Sequence, residues 1–226
     1  MPFHALISSP LGPILLESDE TSLLGLYFTD QRDLPRVPGV QDAASVLSDP
    51  TAGLLDGRAI RTFRAVRAEA ADRSGTLFPD ATEADGPSWD APRAGTAALH
   101  PLSKDTPAGA LAVMEQARRE LDEYWRGERK AFEVPLAPRG TAFQRTVWGA
   151  LLTVSCGETL SYGELAVRAG LGAGHGRAVG SAVGSNPISI IIPCHRILAR
   201  NGTLNGYGGG LHRKVRLLTI EGFTIH

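Results

Sequence analysis

The sequence predicts a mixed α/β (α+β) chain organised in two domains, and three observations carry that expectation. Residues 3–29 hold β-prone apolar runs separated by turn formers. Residues 107–130 carry a long amphipathic helical pattern. Past Pro138-Arg139-Gly140 the patterns become short helices with little strand character. At 226 residues the chain is long enough for one large domain or two small ones. The division expected is an N-terminal α/β domain over 1–137 and a C-terminal domain over 138–226.

Taken in order, FHALISS, PILLES and LLGLYF alternate with turns at Pro10-Leu11-Gly12 and near Asp19-Glu20, which predicts an antiparallel meander. Residues 30–106 change in texture, rich in Pro, Ala, Asp and Gly, and read as a long insertion. Within it Ile60, Phe63, Val66 and Arg67 fall three or four apart, predicting a helix over 58–70, and 74–106 reads as an extended loop. Pro107 opens a helix whose stripe is Leu111, Met114, Ala117, Leu121 and Tyr124/Trp125. AFEVPLA (131–137) then reads as a strand, and Thr141 as the N-cap of a helix carrying Phe143, Val147, Trp148, Leu151 and Leu152. YGELAVRAG, capped by Ser161 and ended by Gly170, and RAVGSAVGSN are two short helices joined by LGAGHG. They carry a helix-turn-helix signature, with an ordinary αα-corner as the less favoured alternative. The second of them is built of Ala, Gly, Val and Ser around one arginine, so its backbone can approach another surface closely. LHRKVRLLTIEG is the last helix.

Composition narrows the class. Apolar residues make up 42% and charged residues 21%, ordinary for a soluble globular protein. No run of eighteen apolar residues exists, so no membrane partner is expected. MPFHALISSPLG lacks the basic and apolar regions of a secretory signal. Only two cysteines, Cys156 and Cys194, are present, which points to a reducing, cytoplasmic compartment. From Tyr162 onward seven basic residues stand against Glu164 and Glu221, a net of +5, so the remainder carries −6 within the total of −1. A basic C-terminal third on an acidic body suits nucleic acid, and suits a plain solvated face as well.

Cys194 lies in IIPCHR, after an aliphatic run. A cysteine there is most often a small buried hydrophobe. A metal role is poorly supported, since there is no CxxC and the six histidines are scattered. A nucleophile needs a route to thiolate, because a free thiol near pKa ~8.5 is mostly protonated. His195 is adjacent but would reach the sulfur only through a turn or a bridging water. Glu221, the only acid after Glu164, could complete a Glu-His-Cys relay, or be a solvated carboxylate at a helix end. On these residues alone the core and nucleophile readings both stand.

RAVGSAVGSNP, IIIPCHRIL and NGYGGGLHRKVRLLTIEG, preceded by TAFQRTVWGALL and GETLSYGELA, resemble the C-terminal domain of the O6-alkylguanine-DNA alkyltransferases, the methylated-DNA–protein-cysteine methyltransferases. The resemblance is specific over about 107–226, extends to 1–29 and is absent over most of 30–106. It implies a ribonuclease-H-like N-terminal domain and a helical, winged helix-turn-helix-like C-terminal domain that binds DNA and accepts the alkyl group. The implied activity is DNA repair by a single, stoichiometric transfer of methyl or alkyl from O6 of guanine, and O4 of thymine, in duplex DNA to Cys194. Cys194 resembles the acceptor, His195 the base acting through a water, and Glu221 the residue that polarises it. Arg177 matches the arginine that fills the stack left by the flipped nucleotide, and Tyr162 the tyrosine that crowds the target phosphate. Asn186 matches the asparagine holding the turn before the active-site loop. The backbone around Cys194 and Ile197 would read the guanine, with Tyr207 and Gly208 lining the pocket. Double-stranded DNA, met in the minor groove, is the implied partner. A monomer, without cofactor or metal, is expected, and cooperativity along DNA is left open.

The physics is consistent with that assignment, since the O6-alkyl carbon cannot be attacked while the base is stacked. Arginine can replace lost stacking and neutralise phosphate together. Departures from the family pattern carry expectations of their own. The 171–176 loop is one residue longer, and Gly184 replaces a phosphate-binding arginine, which implies lower DNA affinity. Ser189 replaces a proline that packs on bulky adducts, which implies slower reaction with benzyl than with methyl groups. The zinc cysteines of some relatives are missing, and Cys156 reads as structural. The rival readings are a non-catalytic alkyltransferase-like lesion binder, a Cys-His-Glu hydrolase and a helix-turn-helix regulator. The first lacks the cysteine, the second leaves RAVGSAVGSNP unexplained, and the third leaves Cys194 unexplained.

Overall fold

The computed structural model describes residues 1–38, 40, 65–67 and 98–225. It shows a mixed α/β fold with a four-stranded antiparallel sheet, two two-stranded pairs and a set of α-helices among those residues. The expected meander is present as β1 (Phe3–Ile7), β2 (Ile14–Ser18) and β3 (Leu23–Phe28). Its first turn is closed by Ser9, whose Oγ donates to the Gly12 carbonyl at 2.6 Å, with Gly12 at φ 103°, where a side chain would be strained. The second is an Asx turn, the Asp19 carboxylate accepting from the amides of Thr21 and Ser22 at 2.8 Å each. β5 (His100–Pro101) adds to the far side of β1, giving the order β3-β2-β1-β5.

Alternation decides the two faces. Ala5, Ile7, Ile14, Leu16, Leu26 and Phe28 enter the main core, while Leu6 and Leu15 meet Val40 on the opposite face. Helix α1 (Ala108–Trp125) lays Ala110, Val113, Met114, Ala117, Leu121 and Tyr124 into the main core. The helix stops at Gly127 (φ 72°), which is shorter than the predicted 107–130.

Two sequence expectations are corrected. Residues 131–137 do not form a strand: only Leu136 bridges, to Leu23. The cause is Glu120, buried on α1, whose Oε2 takes the amides of Glu133 and Val134 at 2.8 and 3.2 Å. The helix predicted over 58–70 is not helical where it is described: Ala65–Arg67 is strand β4, antiparallel to β8 (Phe223–Ile225). A strand-forming partner some 160 positions away overrides the local periodicity. The rest of 58–70, and the loop expected over 74–97, lie outside the described residues.

The C-terminal helices follow their caps. Thr141 and Gln144 form a capping box at the start of α2 (Ala142–Leu151), and Ser161 and Glu164 another at α3 (Tyr162–Arg168). The LGAGHG connection contains a 3-10 turn (Ala173–His175) before α4 (Gly176–Gly184). Trp148 Nε1 donates to the Ala182 carbonyl at 2.8 Å and fixes α2 against α4. β6 (Leu160–Ser161) pairs in parallel with β7 (Ile197–Leu198), setting the start of α3 beside the segment that follows Cys194. Helix α5 (Leu211–Ile220) closes the chain before β8. No helix among the described residues is long and apolar enough to cross a membrane.

One core runs from the sheet through α1, α2 and α4 to Ile188–Ile192 and Cys194. The edge of β3 holds the two ends of the chain together: Leu26 donates to the Pro187 carbonyl at 2.8 Å and accepts from the Ser189 amide at 3.1 Å. Arg213 of α5 makes a second tie. Its guanidinium lies 4.2 Å over the Phe28 ring, donates to the Leu11 and Gly209 carbonyls at 2.7 Å each, and pairs with Asp30 at 2.9 Å. Arg213→Met keeps the aliphatic stem but leaves two buried carbonyls without donors. It should cost about 2–3 kcal/mol, read from urea unfolding. An unchanged midpoint would contradict the clamp.

Candidate active site around Cys194

The loop that presents Cys194 is held by a side chain rather than by regular structure. Asn186, at the end of α4, accepts the Ile188 amide on Oδ1 at 3.0 Å, which orients its amide. Its Nδ2 then faces the Ile188 carbonyl at 3.3 Å, the Ile192 carbonyl at 2.8 Å and Cys194 Sγ at 3.1 Å. Between them the backbone closes two tight i→i+2 turns, Ile191 onto Ser189 and Cys194 onto Ile192, each 2.8 Å. Pro193, at φ −82° and ψ 62°, suits the second. The first is centred on Ile190 at φ 72°, a conformation a β-branched residue adopts at a cost of roughly 1–3 kcal/mol. Ile190 is buried, so packing holds the strained turn in place.

Cys194, His195 and Arg196 form one 3-10 turn, all three buried. This turn separates the sulfur from the imidazole, which reaches Glu221 instead: His195 Nε2 lies 2.8 Å from Glu221 Oε1. A carboxylate only accepts, so Nε2 carries the proton and Nδ1 is left with its lone pair. Nδ1 is buried and has no partner among the described residues. Arg196 forks onto the same carboxylate, Nε to Oε2 at 2.9 Å and Nη2 to Oε1 at 2.8 Å, and its Nη1 donates to the Val154 carbonyl at 2.6 Å. Tyr124 Oη adds a bond to Oε1 at 2.9 Å.

Burial would push the Glu221 carboxyl up, but His195 and the Arg196 fork outweigh it and hold it down to about 2. Burial pushes His195 below its ordinary 6.5, against the pull of Glu221. At neutral pH the imidazole is therefore neutral, and Arg196 is the cation that keeps Glu221 ionised. Burial raises the Cys194 thiol, opposed by the Asn186 amide and by Lys214. The sulfur therefore rests as a thiol, and thiolate forms only when a base takes the proton. Lys214 is fully buried on α5, its Nζ on the carbonyls of Ile197 and Asn205 at 2.5 and 3.0 Å, and burial lowers it to about 8. The arrangement can therefore deprotonate a buried thiol, stabilise the imidazolium formed, and offer the sulfur to an electrophile.

The electrophile has a place to sit. A cavity of about 360 Å³ opens onto Cys194 and is lined by Asn186, Ser189, Gly208, Val183 and Gly184, with Tyr27, Gln31 and Asp33 contributed by β3 and the segment after it. Of the residues singled out from sequence, Cys194, Asn186 and Gly208 line it, with Gly184 and Ser189, two of the noted departures from the family pattern. Tyr207 does not: its ring lies edge-on to His195, centroids 6.5 Å apart, and its buried hydroxyl has no hydrogen-bond partner among the described residues. Ser189 is near enough to draw the Tyr207 pKa down against the dominant effect of burial, but not in hydrogen-bonding geometry. Ile197 is buried behind the reactive turn. Tyr162 does not line the cavity either: its half-buried phenol is raised first by burial and then by Cys194, and its ring packs on α4, where it would lie 3.6 Å from a Cβ at Gly180. Arg177 is exposed on the first turn of α4 and does not line the cavity.

Sequence reasoning missed Arg196, Tyr124, Lys214 and the three residues from the β3 side. Arg196 carried a signal, standing next to His195 where a buried charge needs a carboxylate. The others are placed by long-range packing and carried none.

Comparison with known proteins gives a consistent result. Residues 142–223 match the family model described as 6-O-methylguanine DNA methyltransferase, DNA binding domain. A methylated-DNA–protein-cysteine methyltransferase of Haemophilus influenzae is 52% identical over 112 residues, 49% of this chain and 62% of that protein. One from Methanosarcina acetivorans is 50% identical over 107 residues, 47% of this chain and 68% of that protein. The chain thus spans about three fifths of the length of the first of these relatives. In fold it is similar to the crystal structure of Mycobacterium tuberculosis O6-methylguanine methyltransferase, with TM-score 0.60 and 31% identity over 98% of this chain and 93% of that one. That protein has also been crystallised in complex with DNA. The chain belongs to the O6-methylguanine-DNA methyltransferases, the methylated-DNA–protein-cysteine methyltransferase family.

Proposed function

We propose that this chain repairs alkylated DNA by moving a methyl or other alkyl group from O6 of guanine, and from O4 of thymine, onto Cys194, once per molecule. The observation that carries the reading is a buried thiol at the floor of a cavity beside a buried histidine. That histidine is fixed by Glu221 in the tautomer that leaves Nδ1 free. His195 takes the thiol proton through a water, and Glu221 with its Arg196 fork stabilises the imidazolium. Sγ attacks the alkyl carbon, the S–C bond forms as the C–O6 bond breaks, and the proton passes to the departing guanine. The product thioether has no leaving group that water can displace here, so turnover ends.

The reading includes a DNA-binding, alkyl-accepting domain at 138–226, in which α3 and α4 act as a winged helix-turn-helix, and a ribonuclease-H-like domain at 1–137. The small residues of α4 support minor-groove approach, and the exposure of Arg177 on its first turn supports a role in filling the stack when the damaged nucleotide flips. Tyr162 crowds the target phosphate, Asn186 fixes the loop, and the backbone at Cys194 and Ile197, with Tyr207 and Gly208, receives the base.

Transfer of labelled methyl from a duplex containing O6-methylguanine to the protein tests the reaction: label reaching one equivalent supports it and continued turnover refutes it. Arg177→Ala should slow transfer from the duplex by about fivefold to 150-fold, the size expected from losing about one to three kcal/mol of stacking. The variant should leave reaction with free O6-methylguanine base unchanged. Equal rates on duplex for both proteins would remove Arg177 from base flipping.

A further inference from the structure

Glu221 Oε1 is more heavily solvated by the protein than a histidine partner requires. It accepts from His195 Nε2 and Arg196 Nη2, each at 2.8 Å, and then from Tyr124 Oη at 2.9 Å. Tyr124 stands at the C-terminal end of α1, 97 positions earlier in the chain, among the residues that pack on the sheet. Its ring is held by Trp125 and Phe132, with centroids 5.2 and 5.5 Å away, and the residue is 1% exposed. Phenylalanine would fill that space without burying a hydroxyl, so the hydroxyl is there for its partner.

We propose that Tyr124 is a positioning residue of the Cys194 site: through its hydrogen bond to Glu221 it sets the proton affinity of His195, tying thiol activation to the docking of α1. This rests on the alkyl-transfer reading above. Each donor on Oε1 withdraws part of the carboxylate charge. Removing one leaves more of that charge for the His195 Nε2 proton and makes the imidazole a stronger base. The titratable and charged groups facing the pair come from every neighbouring element. Cys194 and Arg196 flank His195 on its own turn, Lys214 faces it from α5, Cys156 from the loop after α2, and Tyr207 from the glycine-rich turn. Among the described residues, the side chains that donate to the Glu221 carboxylate alongside His195 are those of Tyr124 and Arg196.

His195 must be neutral to accept the thiol proton, so transfer falls on the acid side as His195 becomes protonated. The test is the single-turnover rate of methyl transfer from an O6-methylguanine duplex against pH, for wild type and Tyr124→Phe. Removing the hydroxyl should move the acid limb to higher pH by about half a unit. A folded Tyr124→Phe protein with an unmoved acid limb overturns the proposal, whatever its melting temperature. Should Tyr124→Phe fail to fold, 3-fluorotyrosine at position 124 supplies a stronger donor in the same ring. It should move the limb to lower pH, and an unmoved or upward-moving limb again overturns the proposal. Wild-type protein that accepts no methyl at Cys194 refutes the alkyl-transfer reading itself, whereas wild-type transfer with unmoved limbs refutes only the role of Tyr124.

Discussion

Cys194→Ala protein is expected to fold, to keep its affinity for a duplex carrying O6-methylguanine, and to transfer nothing. The substitution removes the atom that forms the new bond, and the other thiol cannot stand in for it. Cys156 is half-buried outside the cavity, with its thiol pushed up by burial and by the nearby Glu221. The structural cost is small. Asn186 Nδ2 loses Sγ as an acceptor but keeps the Ile188 and Ile192 carbonyls, and the space left is that of one sulfur. About 1 kcal/mol of stability should be lost, leaving the loop in place. Gel-shift titration with modified and unmodified duplex reads the binding, and loss of methyl from the duplex reads the transfer. Transfer at a wild-type rate would contradict the assignment of the nucleophile.

Glu221→Ala is expected to be the most destabilising single change at the site. It strands the buried Arg196 guanidinium with only the Val154 carbonyl, and leaves His195 Nε2 and Tyr124 Oη without an acceptor. Breaking a buried pair from one side costs about 3–5 kcal/mol, readable in urea unfolding at neutral pH. The same group makes the protein sensitive to acid. Its folded pKa of about 2 lies below the ordinary 4.5, so its contribution is present above 4.5 and is lost as pH falls towards 2. That difference amounts to roughly 3 kcal/mol. His195 acts in the same direction, because a folded pKa below 6.5 lets the unfolded chain take up the proton first. The stability gap between wild type and Glu221→Ala should therefore narrow between pH 4.5 and 2. A gap independent of pH would mean that Glu221 is not held ionised by its neighbours.

What could be read from the residues divides along the range of the interactions involved. The caps at Thr141 and Ser161 are local, settled by a side chain and the amide three residues on, and they were legible. The pairing of His195 with Glu221 was only partly so: Glu221 is the only acid in the last sixty residues, but its place at a helix end suited a solvated carboxylate as well, and the family resemblance was needed to favour the pair. The pair's surroundings were not legible. Tyr124 looks like one more member of an apolar stripe, and Lys214 and Arg213 look like a solvated basic pair, until the fold buries all three. Residues 65–67 mislead for the same reason: their apolar spacing suits a helix, and only the distant strand β8 makes them a strand. The strained turn at Ile190 has no signal, because nothing in an isoleucine announces a positive φ.

The most direct test of alkyl transfer to Cys194 is peptide-resolved mass spectrometry after incubation with excess O6-methylguanine duplex. One methyl should replace one proton on the Cys194 peptide, saturating at one equivalent, with the Cys156 peptide unchanged and guanine restored in the DNA in equal amount. Guanine restored beyond one equivalent, or a methyl found on any residue other than Cys194, would contradict it.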